Sequence, residues 1–115
     1  RDKSYGIWGS ETHRALETAL CELEGANHCL LQPSGLASVT LALSALLAEG
    51  DHVLMPDSVY YPTRRFCDKE LKKYGVETTY YDPLIGEGIA KLIKKNTKLI
   101  WLESPGSLTF EVQDV

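Results

Sequence analysis

The stretch Gln32-Pro33-Ser34-Gly35-Leu36-Ala37-Ser38 decides the fold of this chain, because it joins two apolar runs of different character. Residues 29–31 before it are typical of a buried strand, and residues 39–48 after it have the composition of a helix. A strand that turns into a helix through Ser-Gly leaves the first N–H groups of the helix without acceptors. With the positive end of the helix dipole, these donors predict an anion site, most often for phosphate. The alternative is an ordinary N-cap at Ser34 followed by a permissive Gly35.

Helices and strands alternate on both sides of this stretch. Ser10 is predicted to cap a helix that ends at Gly25. The remaining predicted strands cover residues 28–32, 52–55, 76–81 and 98–102, and the predicted helices cover residues 34–49, part of 62–74, and 88–95. This alternation predicts an α/β fold, an αβα sandwich with a mostly parallel sheet.

Ligands of such sheets bind beyond the carboxyl ends of the strands. The residues expected to face a ligand are therefore 34–35, 58–61, 81–82 and 103–107. Pro62 is expected to keep Tyr61 extended and outside the following helix. The chain stops at Val115 before any closing element, so we expect residues 1–115 to be one partial domain of a larger protein.

Composition narrows the classes of function. The 115 residues are 43% hydrophobic and 24% charged with a net charge of -4, which is typical of a soluble globular protein. The sequence has no cluster of basic residues large enough to indicate nucleic-acid binding, and no apolar run is long enough to span a membrane. The three cysteines form no C-x-x-C pair and indicate reduced thiols in the cytoplasm, while the scattered histidines predict no metal site.

Four segments together resemble the Cys/Met-metabolism family of enzymes, in its cystathionine β-lyase branch, which uses pyridoxal phosphate. They are Tyr5-Gly6 with Gly9-Ser10-Glu11-Thr12, Leu20-Cys21-Glu22-Leu23-Glu24-Gly25, Ser34-Gly35-Leu36-Ala37-Ser38, and Asn96-Thr97-Lys98 with Glu103-Ser104-Pro105-Gly106-Ser107. No single segment is specific, but the four occur in the order of the family and cover nearly the whole chain.

The resemblance implies a fold-type I large domain, of which this chain is an incomplete N-terminal portion. It implies that the N–H groups of Gly35 and Leu36 bind the phosphate of pyridoxal 5'-phosphate. Tyr60 would stack on the pyridine ring and act as a catalytic residue. Tyr5 would reach the phosphate of a neighbouring subunit, in a homotetramer built as a dimer of dimers.

The chain departs from the family at one position of this pattern. The family usually has an Arg two residues after the Tyr, and this chain has Ile7 there, so one charge-assisted phosphate contact is lost. At Ser107 the γ-acting relatives commonly have Asn, and Gly106-Ser107 is more similar to the β-lyases. The resemblance places the lysine that binds the cofactor, and the acid beside its ring nitrogen, after Val115.

The expected function is carbon–sulfur bond cleavage, a β-elimination of cystathionine to homocysteine, pyruvate and ammonia in methionine biosynthesis. Within the same family the alternatives are a cystathionine γ-synthase, a cystathionine γ-lyase and a methionine γ-lyase. From other classes, the alternatives are a non-catalytic phosphate-binding α/β module and a structural fragment without a ligand. Neither G-x-x-x-x-G-K-[ST] nor G-x-G-x-x-G occurs, which disfavours the usual nucleotide binders.

Overall fold

A parallel sheet of three strands is the centre of the larger of two units in this chain. The computed structural model describes residues 6–115, apart from the side chain of Trp8. Its two compact units are Arg1–Ser38 and Val39–Val115, and each is described here by itself. Tyr5 lies outside the described residues, so its predicted contact with a neighbouring subunit stays a prediction.

The sheet has the strand order β2-β1-β3, with β1 at His52–Pro56, β2 at Glu77–Tyr81 and β3 at Thr97–Ile100. Both pairings are parallel, and the register with β3 shifts between His52 and Val53. All five residues of β1 are buried, as expected for the central strand of a parallel sheet.

The first unit contains helix α1, Glu11–Glu24. Ser10 caps it as predicted, since its Oγ accepts the N–H of His13 while His13 Nδ1 accepts the N–H of Ser10. Gly25 ends the helix in the left-handed conformation, with φ of 63°, and its N–H donates to the carbonyl of Cys21. Local hydrogen bonds of this kind explain why both ends of α1 follow from the sequence.

Helix α2, Gly35–Leu46, begins at the predicted junction and continues into the second unit. Helix α3, Tyr61–Phe66, continues into a π-helical turn at Cys67–Leu71. Short 3-10 helices occur at Gly6–Trp8 and Gly86–Leu92. Among residues 6–115, no helix has the length and apolar content that crossing a membrane requires.

The core of the second unit brings together buried residues from α2, β1 and the π-helical turn. Its buried members are Leu43, Leu47, Val53, Met55, Val59, Cys67, Leu71 and Val76. Burial raises the pKa of the Cys67 thiol to about 11, so this cysteine stays protonated and acts as a packing residue. The sheet and helices together are a portion of the predicted α/β fold.

A buried histidine links all three strands. His52 Nδ1 lies 2.7 Å from Thr97 Oγ1 on β3, and His52 Nε2 lies 2.8 Å from Thr79 Oγ1 on β2. Burial and the nearby Lys94 lower the pKa of His52, although Glu77 acts in the opposite direction. The imidazole is therefore held in its neutral form between two hydroxyl groups.

Three predictions about elements are wrong. Residues 28–32 form no strand and pair with none of the three strands, and Leu30 is 76% exposed, because an apolar run needs a neighbouring strand for its backbone groups. Tyr61 is the first residue of α3, since Pro62 in the first turn removes no helical hydrogen bond. The predicted helix over residues 88–95 is instead a 3-10 helix that begins two residues earlier.

Candidate active site

The N-terminal end of α2 presents two free backbone donors. Ser34 Oγ accepts the N–H of Ala37 at 3.1 Å, which caps the helix. Among the described residues, neither the Gly35 N–H nor the Leu36 N–H donates a hydrogen bond to the rest of the chain. A Cβ built on Gly35 would meet no atom of the described residues within 4 Å, so no described side chain or backbone crowds this position. Two adjacent N–H groups at the positive end of a helix suit a phosphate.

Tyr60 follows β1 in the second unit, at the carboxyl end of the strands. The preceding Val59 is buried in the core, while Tyr60 is 49% exposed. The backbone of Tyr60 is extended, with φ of -47° and ψ of 127°, and no side chain caps α3 at this position. Its N–H donates instead to Glu103 Oε1 at 2.9 Å, so Glu103 holds the backbone that carries the aromatic ring.

Glu103 lies in the segment that follows β3, and Gln113 fixes this segment. The N–H of Glu103 donates to Gln113 Oε1 at 3.1 Å, and the N–H of Gln113 donates to Ser104 Oγ at 2.9 Å. Gln113 also donates from Nε2 to the hydroxyl of Tyr81 at 3.1 Å. The sequence singled out Glu103 and Ser104 but not Gln113, which carries no motif and is recognised only from its burial and partners.

Gly106 brings the segment after β3 against the end of β1. A Cβ at Gly106 would lie 2.7 Å from both Cβ and Oγ of Ser58, so only glycine fits there without displacement. The N–H of Ser107 donates to the carbonyl of Ser58 at 2.9 Å and secures the same approach. The predicted strand-end groups 58–61 and 103–107 therefore lie together in the structure.

A cleft of about 500 Å³ opens beside these segments. It is lined by Asp57, Ser58, Tyr80, Tyr81, Asp82, Pro83, Thr109 and Glu111. Arg64 offsets part of the negative charge, since its Nη2 lies 2.6 Å from Asp57 Oδ1 and its guanidinium covers the ring of Tyr80 at 3.8 Å. Within the described part of the chain, no three His, Cys, Asp or Glu side chains are placed to hold a metal ion.

The predicted site residues fall into two groups. Gly35 and Leu36 belong to the unit Arg1–Ser38, and Tyr60 belongs to the unit Val39–Val115. Within the first unit the structure places two N–H donors suited to phosphate, and within the second it places an aromatic side chain at the end of a strand.

Four lysines in the described part of the chain are poor candidates for covalent chemistry. Lys72 and Lys73 are exposed beyond the π-helical turn, and Lys98 is exposed on β3. Lys94 forms an ion pair with Glu77, at the end of the sheet where β2 begins. None of these four side chains is buried, whereas nucleophilic lysines usually lie in desolvated pockets.

Comparison with known proteins identifies the family to which this sequence is similar. The sequence model of the family "Cys/Met metabolism PLP-dependent enzyme" matches residues 1–115. The cystathionine β-lyase MetC of Escherichia coli (strain K12) is 50% identical over 111 residues, which are 96% of this chain and 28% of that protein.

Solved structures show the same local fold. The crystal structure of metB from Corynebacterium glutamicum matches with a TM-score of 0.89 and 34% identity, over 96% of this chain and 29% of that one. The cystathionine γ-lyase from Lactobacillus plantarum complexed with L-serine matches with a TM-score of 0.87 and 28% identity, over 95% and 28% of the two chains. The chain spans less than a third of the length of each of these proteins.

Proposed function

Because the chain belongs to the Cys/Met metabolism family of PLP-dependent enzymes, we propose that the protein is a carbon–sulfur lyase. The proposed reaction is β-elimination of cystathionine to homocysteine, pyruvate and ammonia, in methionine biosynthesis. The observation that carries this proposal is the 50% identity to a cystathionine β-lyase over nearly the whole chain. Bound pyridoxal phosphate supplies the chemistry by withdrawing electrons from the substrate's Cα.

The residues of α2 fit the phosphate of this cofactor. Gly35 and Leu36 provide the two N–H donors, and Ser34 keeps the first turn of the helix in place. The lack of a side chain at Gly35 lets the phosphate approach the backbone closely. The donor set is neutral, so the helix dipole supplies the attraction for the anion.

Tyr60 is proposed to face the pyridine ring and to take part in catalysis. Its half-exposed ring at the carboxyl end of β1 is available for stacking, and its phenol can hold or move a proton. Glu103 fixes the backbone of Tyr60 through a hydrogen bond of 2.9 Å. In this proposal the described residues act on the pyridine ring by stacking of the Tyr60 side chain and not by placing a charge beside it.

The remaining machinery is proposed to lie outside residues 1–115. The chain is then a partial cofactor domain that lacks the cofactor-binding lysine and the acid for the ring nitrogen. The complete enzyme is proposed to be a cytoplasmic homotetramer in which Tyr5 reaches the phosphate bound by a neighbouring subunit. The unpaired thiols of Cys21, Cys29 and Cys67 are in keeping with a reducing compartment.

A γ-acting enzyme of the same family is the second candidate, and the match to a cystathionine γ-lyase structure favours it. The two reactions give different products, because γ-elimination of cystathionine leaves cysteine and 2-oxobutyrate. We expect the full-length enzyme with pyridoxal phosphate to release one pyruvate for each homocysteine, measured as its free thiol, when cystathionine is the substrate. Release of 2-oxobutyrate in place of pyruvate would replace the β-lyase proposal with the γ-lyase one.

A further inference from the structure

Gln113 belongs to a chain of hydrogen bonds that links the carboxyl ends of all three strands. Its Oε1 accepts the N–H of Glu103 beyond β3, and its Nε2 donates to the hydroxyl of Tyr81 at the end of β2. Its own N–H donates to Ser104 Oγ. Glu103 in turn accepts the N–H of Tyr60, which follows β1. The side chain of Gln113 is therefore linked to Tyr60, the proposed stacking residue, through Glu103 alone.

The orientation of the Gln113 amide is fixed by its surroundings. The hydroxyl of Tyr81 donates to the carbonyl of Trp101 at 2.7 Å, so its oxygen is left to accept from Gln113 Nε2. The amide oxygen then has to face the N–H of Glu103. Burial raises the pKa of Tyr81, which keeps this phenol protonated and able to donate.

Burial makes these bonds persistent. Gln113 is only 9% exposed and Tyr81 is 3% exposed, so water does not compete for their polar atoms. Tyr60, by contrast, is half exposed and lacks a side-chain cap at the start of α3. The carbonyl of Tyr60 accepts the N–H groups of Thr63 and Arg64 within α3, so Glu103 is what holds the N–H side of this residue. Gln113 in turn holds the N–H of Glu103.

We infer that Gln113 is a positioning residue for Tyr60, acting through Glu103 on the face that the ring presents to pyridoxal phosphate. The inference rests on the proposed function, since it concerns the same site. Gln113 touches neither cofactor nor substrate in this scheme. Its contribution is to keep the ring in place before the cofactor arrives, which lowers the entropy lost on binding.

The test is a double-mutant cycle on cofactor affinity, measured by titrating the full-length apoenzyme with pyridoxal 5'-phosphate. Gln113→Met keeps the size of the side chain and removes both hydrogen bonds. We expect it to weaken the affinity roughly fivefold to tenfold, the usual effect of a lost buried hydrogen bond. In a Tyr60→Ala background the same change should have almost no further effect, because the positioned ring is already gone.

Conservative variants separate positioning from general damage. Glu103→Gln retains an oxygen for the Tyr60 N–H and should stay within about twofold of wild type, whereas Glu103→Met should match Gln113→Met. Tyr81→Phe removes the partner of Gln113 Nε2 and the bond to the carbonyl of Trp101, but it leaves the bond from Glu103 to Gln113 Oε1 in place. It provides a milder variant should Gln113→Met fail to fold. Its smaller loss of affinity should also vanish in the Tyr60→Ala background.

Asn96→Ala is the matched control. Asn96 Nδ2 donates to the carbonyl of Gly50 at 3.0 Å, next to the opposite end of the strands. Removing that bond should lower thermal stability and leave the cofactor affinity unchanged. An equal loss of affinity in Asn96→Ala would overturn the inference, because the effect would then follow stability alone.

The remaining outcomes distinguish the two proposals. One outcome is that Tyr60→Ala weakens the affinity while Gln113→Met causes its full loss in that background as well. In that case the positioning role of Gln113 is wrong and the cofactor role of Tyr60 stands. If Tyr60→Ala binds the cofactor as wild type does, the stacking role itself is wrong, and the inference fails with it.

Discussion

Gly106 packs against Ser58 so closely that a single added methyl group would overlap it, at 2.7 Å from both Cβ and Oγ. This contact joins the segment after β3 to the end of β1, and both segments carry predicted site residues. The two segments are held by a backbone hydrogen bond from Ser107 as well. The spacing between the two strand ends is therefore set by a glycine rather than by a polar side chain.

We predict that Gly106→Ala destabilises the protein by about 1–3 kcal/mol, the usual range for overpacking a filled site. Thermal unfolding of the full-length protein measures this loss. Ser58→Gly in the same molecule should restore part of it, because it removes the atoms that the new methyl group meets. Gly6→Ala is the control, since a Cβ there meets no atom of residues 6–115 within 4 Å. An unchanged melting temperature in Gly106→Ala would show that the two segments separate easily.

Gly35→Val is predicted to weaken binding of pyridoxal phosphate roughly tenfold while lowering stability by less than about 1 kcal/mol. The helix start has room for the side chain, but the phosphate needs the backbone beneath it. Titration with pyridoxal, which lacks the phosphate, provides the comparison. Its affinity should stay unchanged, and an equal loss for both compounds would contradict a phosphate site at α2.

The sequence predicted both ends of α1 and the start of α2 because short-range hydrogen bonds define them, whereas α2 ends at Leu46, three residues before the predicted end. Ser10, Gly25 and Ser34 each act on a backbone group within four residues along the chain. The same holds for the central strand, whose apolar residues 53–55 are recognisable without knowing their partners. Local chemistry was enough in these cases.

The links between strand ends were not predictable in the same way. Tyr60 and Glu103 are 43 residues apart, and their hydrogen bond exists only because β1 and β3 are neighbours in the sheet. Gln113 has no sequence signal, since an isolated glutamine is usually exposed. The wrong prediction of a strand over residues 28–32 has the same origin, because a strand is defined by a partner that local composition does not reveal.

Stability is predicted to fall as the pH drops below about 6.5, through His52. The pKa of His52 is lower in the folded protein, so the unfolded chain binds more protons in this range and stability rises with pH. The contribution is complete above the unfolded pKa and is lost as the pH falls toward the folded one. One such group gives a slope of at most about 1.4 kcal/mol per pH unit.

The measurement is chemical denaturation between pH 5 and 7 for wild type and His52→Gln, in which the slope matters rather than the absolute stability. The variant should lose the part of the slope that belongs to His52. The hydrogen bond to Lys94 lowers the pKa of Glu77 from an ordinary value that already lies below this range, so that carboxyl does not account for the slope. Identical slopes in the two proteins would show that His52 titrates normally.

The 115-residue chain alone is predicted to have no lyase activity. Electron withdrawal by the cofactor is useful only if a base takes the Cα proton, and the family places both the base and the cofactor linkage on one lysine. The four lysines discussed above are all exposed, and Lys94 is also paired with Glu77. Pyruvate release from cystathionine with excess pyridoxal phosphate should equal that of free cofactor at the same concentration. Turnover well above this background that disappears in Lys98→Ala would place the catalytic lysine on β3 and overturn the proposed division of the machinery.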